Sequence, residues 1–301
     1  MEIYRSLEEV PAVSHGRAVA VGTFDGVHLG HRRVIQAALE WARANDASAS
    51  VVTFDPHPLQ VLQPDDPPQL LTTSDIKADL VAGLGVDELV MIPFTEEFSR
   101  LEANTFCEDV LARTLTTRHV SVGENFRFGY GARGNAALLQ DRPEFETEIV
   151  PLVMHDGAVV SSSRIRELLA GGDVSAAADL LGAPFQLEGK VVRGDERGRD
   201  LGVPTANVAP PAGLVVPGRG IYAGRALDRA AAISIGVRPT FEDDGRILVE
   251  AHLLDFDGDL YDRTLRLAFL ERLRDELRFD SADELVEQMQ RDIERVRAVA
   301  G

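Results

Sequence analysis

Residues 19–35 read VAVGTFDGVHLGHRRVI, and this stretch determines the fold that we predict for the first half of the chain. A strand-like apolar run comes first, a turn that contains Gly22 and Gly26 follows, and a helical pattern begins near Gly30. A buried strand that turns directly into a helix points backbone N–H groups and the positive end of the helix dipole at whatever occupies the turn. The stretch has neither the Gly-Lys-Ser/Thr of a P-loop nor the GxGxxG of a dinucleotide fingerprint. It therefore predicts a different kind of strand–turn–helix anion site.

Two histidines, His28 and His31, lie three residues apart on either side of Gly30. Two imidazoles at the mouth of a helix can donate hydrogen bonds to phosphate oxygens and stabilise the charge that grows on a leaving pyrophosphate. The alternatives are a metal-binding pair and ordinary surface histidines. A metal site needs further ligands at suitable spacing, and none is apparent nearby. The strand–turn–helix context favours phosphate binding over surface placement.

The remainder of the first half alternates strand-like runs with longer helix-like stretches, which predicts a parallel sheet covered by helices. The single cysteine, Cys107, falls in the apolar-periodic stretch 104–115, so we predict a helix there with a small buried thiol. The predicted strands are residues 18–22, 50–54, 88–92 and 119–122.

Beyond Gly182 the pattern changes to short apolar runs separated by Gly, Pro and Asp, which predicts an antiparallel barrel. Residues 281–299 have the spacing of one amphipathic helix face, and Ser281 with Glu284 fits a capping box at its start. A helical pattern that ends at Leu181 is followed by Gly182 and then by Pro184. We therefore predict two domains, residues 1–183 and 184–301. The predicted barrel strands are residues 188–192, 220–226, 231–235, 248–254 and 264–269.

The chain has 301 residues and a formal net charge of −18, with a pI near 4.8. This balance argues against nucleic acid as a partner, because that interaction depends on clustered Lys and Arg. An acidic protein that binds anionic phosphates needs local positive potential from helix N-termini, arginines or a divalent metal. No apolar run approaches the roughly 18 residues of a membrane span, and a signal-peptide pattern is lacking. We expect a soluble, cytoplasmic protein that does not bind membranes, and homo-oligomerisation stays open.

A run of three serines, residues 161–163, opens a predicted helix. Its hydroxyls, free N–H groups and dipole, together with Arg164 and Arg166, would form a clamp for a triphosphate. Taken alone, a serine-rich helix start is usually an N-cap.

Residues 123–135 combine flexible glycines with aromatic and guanidinium side chains, as a flat aromatic ligand and its phosphate would require. A mobile surface loop is the alternative, but so many exposed aromatic rings and arginines are costly without a partner. These side chains are Phe126, Arg127, Phe128, Tyr130 and Arg133.

Residues 189–207 read GKVVRGDERGRDLGVPTAN. Thr205 and Asn207 lie two residues apart in an extended segment, so their side chains share a face and can offer hard oxygen ligands to Mg²⁺. The glycines let the backbone approach a nucleotide closely, and the arginines supply charge, although a structural glycine-rich hairpin is the ordinary reading. These residues are Gly194, Gly198 and Gly202, with Arg193, Arg197 and Arg199.

Glu250 alternates with apolar neighbours in the strand-like run 249–256. We expect it on the inner face of a barrel strand, where a lone carboxylate is costly unless it has a function or a partner. Strand geometry alone does not distinguish a catalytic base from a salt-bridged structural glutamate.

These segments resemble, in collinear order, those of the bacterial bifunctional riboflavin kinase/FAD synthetases. GTFDGVHLGH at 22–31 looks like the HxGH nucleotide-binding element of the nucleotidylyltransferase superfamily, and PTAN at 204–207 resembles the riboflavin kinase element. The other matching segments are FDPHP at 54–58, GENFRFG at 123–129, SSSRIR at 161–166, GRGIYA at 218–223, SIGVRPTF at 234–241 and VEAHLLDF at 249–256. The sequence departs from the family pattern at Ser163, where Thr is usual, at Arg238, where Asn is usual, and at Asp262-Arg263, where DLYG is usual.

The resemblance implies a Rossmann-like nucleotidylyltransferase domain with a parallel sheet, followed by an antiparallel kinase barrel with a closing helix. The barrel would make FMN and ADP from riboflavin and ATP with Mg²⁺, and the first domain would make FAD and pyrophosphate from FMN and ATP. Rivals are a nucleotidylyltransferase for another small phosphate, against which the kinase half argues, and a flavin-binding regulator or carrier without turnover.

The resemblance also implies residue roles. His28 and His31 would be catalytic in adenylyl transfer, and Glu250 would accept the proton of the riboflavin 5′-hydroxyl. In the first domain the nucleotide would contact Gly22, Thr23, Phe24, His28, His31, Ser162, Ser163, Arg164 and Arg166, and the flavin would contact Asp55, His57, Asn125, Phe126, Arg127 and Phe128. In the kinase the nucleotide would contact Gly194, Arg197, Gly198, Gly202, Thr205 and Asn207, of which Thr205 and Asn207 would bind the metal.

Overall fold

The computed structural model describes residues 1–193, 203–237 and 247–301, without the side chains of Val237 and Ala282. The chain forms two compact units, Met1–Ser162 and Ser163–Gly301. The domain boundary that the sequence places between residues 183 and 184 stays a prediction, because a division by compactness does not test which residues each activity needs.

A parallel sheet with helices around it forms the first unit. Its six strands follow the order β1-β4-β3-β2-β5-β8, with labels in chain order. With the separate two-stranded pairs β6-β7 and β9-β10, the strands of this unit are β1 (Glu2–Tyr4), β2 (Arg17–Val21), β3 (Ser48–Asp55), β4 (Glu88–Pro93), β5 (Thr117–Gly123), β6 (Arg127–Phe128), β7 (Gly134–Asn135), β8 (Glu146–Val150), β9 (Met154–His155) and β10 (Ala158–Val159). The helices are α1 (Leu29–Asn45), α2 (Pro58–Leu62), α3 (Ser74–Ala82), α4 (Glu96–Ser99), α5 (Ala103–Thr105) and α6 (Ala136–Gln140).

The order of the sheet creates a topological switch point between β2 and β5. From β2 the chain moves outward to β3 and β4 on one side, and it later returns to β5 and β8 on the other. In open parallel sheets ligands bind beyond the carboxyl ends of the strands at such a point, because the connections leave in opposite directions and open a crevice. The turn after β2 and the loop after β5 therefore flank the same crevice.

All five residues of β2 are buried, because helices or loops cover both faces of the sheet. Ala18 and Ala20 pack on one face with residues of α1 and α3. Val19 and Val21 pack on the other face with the segment that follows α5 and with a group of phenylalanines. Alternation along one strand thus builds both layers of the core.

The helix predicted over residues 104–115 is largely a π-helix, which spans Phe106–Thr114. Its extra residue per turn is not visible in the apolar spacing, so the sequence predicts the helix but not its winding. Cys107 is fully buried within it, as predicted, and burial raises the pKa of its thiol to about 11.

The second unit contains the predicted closed antiparallel barrel, in the order β11-β12-β15-β14-β13-β16. Two helices precede the barrel, and a third packs on β13, β14 and β16 from outside. The strands are β11 (Phe185–Val192), β12 (Ala206–Ala209), β13 (Gly220–Ala226), β14 (Arg229–Val237), β15 (Ile247–Leu253) and β16 (Thr264–Arg274), and the helices are α7 (Ser162–Ala170), α8 (Val174–Leu181) and α9 (Ala282–Ala300).

Both predicted helix boundaries of this unit are confirmed. Ser281 caps α9 by accepting a hydrogen bond from the Glu284 amide at 3.2 Å, and the Glu284 carboxylate accepts one from the Asp280 amide at 3.3 Å. Gly182 ends α8 in the left-handed conformation, with φ 71°. Within the described parts of the chain, no helix combines the length and the apolar character needed to cross a membrane.

A buried ion pair joins the strands at the amino end of the sheet. Arg17 is fully buried, and its Nε donates to Glu88 at 2.6 Å while Ser50 donates to the same carboxylate at 2.5 Å. Two further guanidinium hydrogen bonds reach the carbonyls of Leu115 and Pro11. The pair therefore links β2, β3 and β4 to the segments before and after them.

We expect Glu88→Gln to lower the free energy of unfolding of the first unit by about 3 kcal/mol, because it leaves a buried guanidinium without its counter-charge. Urea unfolding followed by the fluorescence of the single tryptophan, Trp41, measures this change. Asp109→Asn is the control, since it breaks an exposed pair with Arg113 and should change the free energy by less than about 1 kcal/mol. An equally small effect of Glu88→Gln would contradict the assignment.

Candidate active site

A cavity of about 770 Å³ lies in the first unit beyond the carboxyl ends of β2 and β5. Its size is in the range of sites that hold whole small-molecule ligands. Its wall combines the turn after β2, the first residues of α1 and the segments that follow β3 and β5. The predicted site residues in this wall are Gly22, Thr23, Phe24, His28, His31, His57, Asn125, Phe126, Arg127, Phe128 and Ser162.

The two histidine rings lie one above the other at the start of α1. Their centroids are 3.5 Å apart with an interplanar angle of 16°, and Phe24 meets His31 edge-on at 5.3 Å. His28 is the N-cap of α1, and its Nδ1 accepts a hydrogen bond from the amide of His31 at 3.3 Å. Since Nδ1 is the acceptor, the proton of a neutral His28 ring sits on Nε2, which is thereby a donor for an anion.

The pKa of His31 lies well below its usual value of 6.5. Burial is the largest cause, and the positive charges of His28 and Lys77 add to it. Two stacked imidazoles cannot both carry a proton at low cost, because like charges at this separation repel. His31 is therefore neutral at pH 7.

The turn that carries these rings has a constrained backbone. Phe24 and Val27 have φ of 48° and 43°, in the left-handed region that residues with side chains seldom adopt. Contacts from distant segments hold it: the Asp25 carboxylate accepts hydrogen bonds from the amides of Leu71 and Thr72, and Ser162 donates to the Asp25 carbonyl at 3.0 Å. Strain of this kind persists where the surrounding structure fixes it, typically at ligand sites.

A chain of phenylalanine rings forms the apolar side of the cavity. Phe126 stacks on Phe128 at 5.5 Å and 15°, and Phe128 contacts Phe106 at 5.5 Å. Phe128 lines the cavity but is only 8% exposed, because the hairpin of β6 and β7 turns most of its ring into the core, whereas Tyr130 is exposed. The other rings are Phe54, Phe94 and Phe98.

Other predicted site residues of the first domain lie apart from this wall. Asp55 does not line the cavity, and its carboxylate accepts a hydrogen bond from Ser74 at 2.9 Å. Ser163, Arg164 and Arg166 follow in α7, within the second compact unit.

In the barrel, three predicted kinase residues come together. Asn207 lies directly opposite Glu250 across β12 and β15, and the Thr205 hydroxyl donates to the Glu250 carboxylate at 3.5 Å. Ser234 lies opposite Glu250 on the other side, in β14. The predicted residues Gly194, Arg197, Gly198 and Gly202, and the departure at Arg238, lie outside the described residues.

The prediction that Glu250 lies on the inner face of the barrel is wrong. Val249 and Ala251 on either side of it are 1% exposed, whereas Glu250 is half-buried. Because successive side chains of a strand point to opposite faces, the apolar neighbours fill the interior and the carboxylate lies on the outer face. This placement avoids burying a charge in the barrel core.

The two halves of the chain match two protein families. Residues 10–164 match the FAD synthetase family and residues 181–300 match the riboflavin kinase family. The bifunctional riboflavin kinase/FMN adenylyltransferase of Escherichia coli K12 is 36% identical over 97% of this chain and 96% of its own. The corresponding protein of Pseudomonas fluorescens is 36% identical over 100% and 98%.

The chain belongs to the bifunctional riboflavin kinase/FMN adenylyltransferase family. A solved structure described as a macrolide-efflux protein from Streptococcus pneumoniae has the same fold, with a TM-score of 0.86 at 30% identity over 98% of both chains. The match along the whole length agrees with the two folds, a Rossmann-like parallel sheet and a closed antiparallel barrel.

The sequence did not reveal two features of this cavity and its surroundings. The first is the aromatic wall from Phe94 to Leu101, which looks like ordinary core sequence because it follows a buried strand. The second is Lys77, whose ammonium reaches the turn after β2 although 54 residues separate it from Thr23. A lysine between the apolar residues Ile76 and Ala78 was the available signal.

We expect the free energy of unfolding to decrease as the pH falls below about 6.5. The unfolded chain takes up a proton on His31 near that pH, whereas the folded protein holds the ring neutral to lower pH. Well above about pH 6.5 the contribution of His31 to the free energy of unfolding no longer changes with pH. Urea unfolding between about pH 5 and pH 8 measures it, and His31→Asn should make the dependence shallower.

His15→Asn is the control, because His15 is exposed and lies at the other end of the sheet, where it contacts Ser48. Its pH dependence should match that of the unsubstituted protein. A dependence in His31→Asn as steep as in the unsubstituted protein would exclude His31 as a source.

Proposed function

We propose that the first unit transfers the adenylyl group of ATP to FMN, and that the barrel phosphorylates riboflavin to supply the FMN. The observation that carries the proposal is the stacked histidine pair at the N-terminus of α1, inside an aromatic-walled cavity at the switch point of the sheet. Both activities are those of the family to which the chain belongs.

In adenylyl transfer, an oxygen of the FMN phosphate forms a bond to the α-phosphorus of ATP while the bond from that phosphorus to the bridging oxygen breaks. Pyrophosphate leaves with the additional negative charge. Nε2–H of His28 and the positive end of the α1 helix dipole are suited to stabilise that charge. Because these groups are already fixed by the turn, little reorganisation is needed during the reaction.

We assign the flavin ring to the apolar side of the same cavity. Phe126 and Phe128 offer a parallel pair of rings, and Arg127 supplies a guanidinium beside them for the flavin phosphate. His57, the N-cap of α2, completes the proposed flavin contacts in the wall. Asn125 lines the cavity as a further polar partner, and Asp55, which does not line it, is a proposed flavin contact on the family resemblance alone.

We propose that Ser162, Ser163, Arg164 and Arg166 bind the ATP phosphates of the first reaction. Four neutral or cationic donors at a helix start suit a polyphosphate. Gly22, Thr23 and Phe24 would contribute backbone groups of the turn.

In the barrel we propose that Glu250 accepts the proton of the riboflavin 5′-hydroxyl. The hydroxyl oxygen then forms a bond to the γ-phosphorus of ATP, and ADP leaves as the bond from that phosphorus to the bridging oxygen breaks. Thr205, Asn207 and Glu250 bring hydroxyl, amide and carboxylate oxygens together on one face, and such hard donors fit Mg²⁺. The metal would neutralise charge on the phosphates of ATP, and Thr205 and Asn207 are its proposed ligands. Gly194, Arg197, Gly198 and Gly202 are the proposed nucleotide contacts.

We assign adenylyl transfer to residues 1–183 and the kinase to residues 184–301. A cytoplasmic location suits this pair of reactions, because both consume ATP. The direct test incubates the purified protein with riboflavin, ATP and Mg²⁺ and separates FMN and FAD by chromatography over time. FMN should appear first and FAD should follow, and the release of pyrophosphate distinguishes turnover from flavin binding alone.

We expect His28→Ala with His31→Ala to reduce FAD formation by at least about a hundredfold, since the donors that stabilise the leaving pyrophosphate are lost. Conversion of riboflavin to FMN should continue, because that reaction belongs to the barrel. His15→Ala removes an exposed imidazole and should change neither rate. Normal FAD formation by the double variant would refute the role of the pair.

We expect Glu250→Gln to lower the turnover of riboflavin by roughly 10²-fold, because the amide keeps the shape of the side chain and lacks its basicity. FAD formation from supplied FMN should be unchanged. Glu271→Gln is the matched control, since Glu271 is a barrel-strand carboxylate that pairs with Arg295 away from the predicted kinase residues. Kinase turnover in Glu250→Gln equal to that of the control would make Glu250 a structural residue.

A further inference from the structure

Lys77 is a buried cation that the reactions above do not use. It lies in α3 with 7% of its surface exposed. The chain contains 31 basic residues, of which only Lys77 and Lys190 are lysines.

The ammonium of Lys77 donates a hydrogen bond to the carbonyl of Thr23 at 2.9 Å and to the hydroxyl of Thr53 at 3.4 Å. Thr23 belongs to the turn between β2 and α1 and lines the cavity, whereas Lys77 does not. Lys77 thus contacts Thr23 from outside the cavity. In a planar trans peptide the N–H points opposite to the C=O. By holding the Thr23 carbonyl, Lys77 directs the N–H of Phe24 away from itself, toward the side where the cavity lies.

Burial of an ammonium costs several kcal/mol unless other groups compensate it. Burial lowers the pKa of Lys77, and the carboxylates of Asp25 and Asp55 raise it. These two carboxylates also connect to neighbouring segments, Asp25 through the amides of Leu71 and Thr72 and Asp55 through the Ser74 hydroxyl. The two carboxylates favour the charged form of the ammonium, and that charge lies close enough to His31 to lower the pKa of its ring.

We propose that Lys77 is a positioning residue for adenylyl transfer, which fixes the peptide between Thr23 and Phe24 as an anion donor and places a positive charge behind the phosphate-binding turn. The inference rests on the proposed function of the first unit. A residue that only fastened α3 to the sheet would contribute stability without affecting the use of ATP. The two roles therefore differ in what they predict for kcat/KM.

The test compares Lys77→Met, which keeps the length of the side chain without charge or donors, with Lys77→Arg, which keeps both. FAD formation from supplied FMN and ATP gives kcat and the KM for ATP, and NMR of the histidine rings gives the titration of His31. In Lys77→Met we expect kcat/KM for ATP to fall at least about tenfold, less than the roughly 10²- to 10³-fold of removing an anion donor outright, because the Phe24 N–H remains but is no longer held in place. His31 should titrate at higher pH in this variant, because the charge that disfavours its protonation is gone.

Lys77→Arg should restore a substantial part of kcat/KM and keep the titration of His31 low. Riboflavin kinase turnover, measured on the same preparations, should stay within about twofold of the unsubstituted protein and so reports the amount of folded barrel, while the fluorescence of Trp41 reports the folding of the first unit. Lys190→Met, which removes the exposed lysine that pairs with Asp262, should leave FAD formation unchanged.

Unchanged kcat/KM for ATP in Lys77→Met, or an unchanged His31 titration, would overturn the proposal. If Lys77→Met does not fold, Lys77→Gln keeps a donor without the charge, and an unchanged His31 titration in that variant would overturn the proposal equally. Failure of the unsubstituted protein to make FAD from FMN would refute the proposed function instead, and the His31 titration would still decide the electrostatic role of Lys77.

Discussion

The first unit depends on one constraint, the backbone turn that joins β2 to α1 between Val21 and Leu29. This turn must end a fully buried strand, adopt left-handed φ at Phe24 and Val27, and begin a helix whose cap is His28. No local interaction suffices to hold such a conformation. The hydrogen bonds that hold it come from residues 71–77 and from Ser162, so segments distant in sequence fix the geometry of the two imidazoles.

The protein handles anionic substrates although its net charge is −18. Distant surface carboxylates are screened by solvent and salt, whereas groups inside the cavity act at short range with little screening. The positive potential there arises from the start of α1, from the donors of the turn and from the buried Lys77. A neutral His31 fits this arrangement, since burial and the nearby ammonium of Lys77 both disfavour a positive charge on its ring.

The two halves of the chain form their sites in different ways. The parallel sheet opens a crevice where its strand order reverses, so the ligand site follows from the topology. A closed barrel filled with apolar side chains has no such crevice. Its polar residues Asn207, Ser234 and Glu250 meet instead on the outer face, where strand register brings them side by side. This is why the proposed kinase residues Asn207 and Glu250 come from two separate strands.

The sequence by itself determined the elements, the two fold types and most of the residues that meet in the site. The strand before Gly22, the cap at Ser281 and the end of α8 at Gly182 all follow from local patterns, because periodicity, capping and turn chemistry involve residues close in the chain. Only the tertiary structure decided that Glu250 faces outward, that Phe128 enters the core, that the segment after α5 winds as a π-helix and that Lys77 supports the turn. Each of these depends on strand order, register or a contact between distant segments, and no local pattern in the sequence records which side chains such contacts bring together.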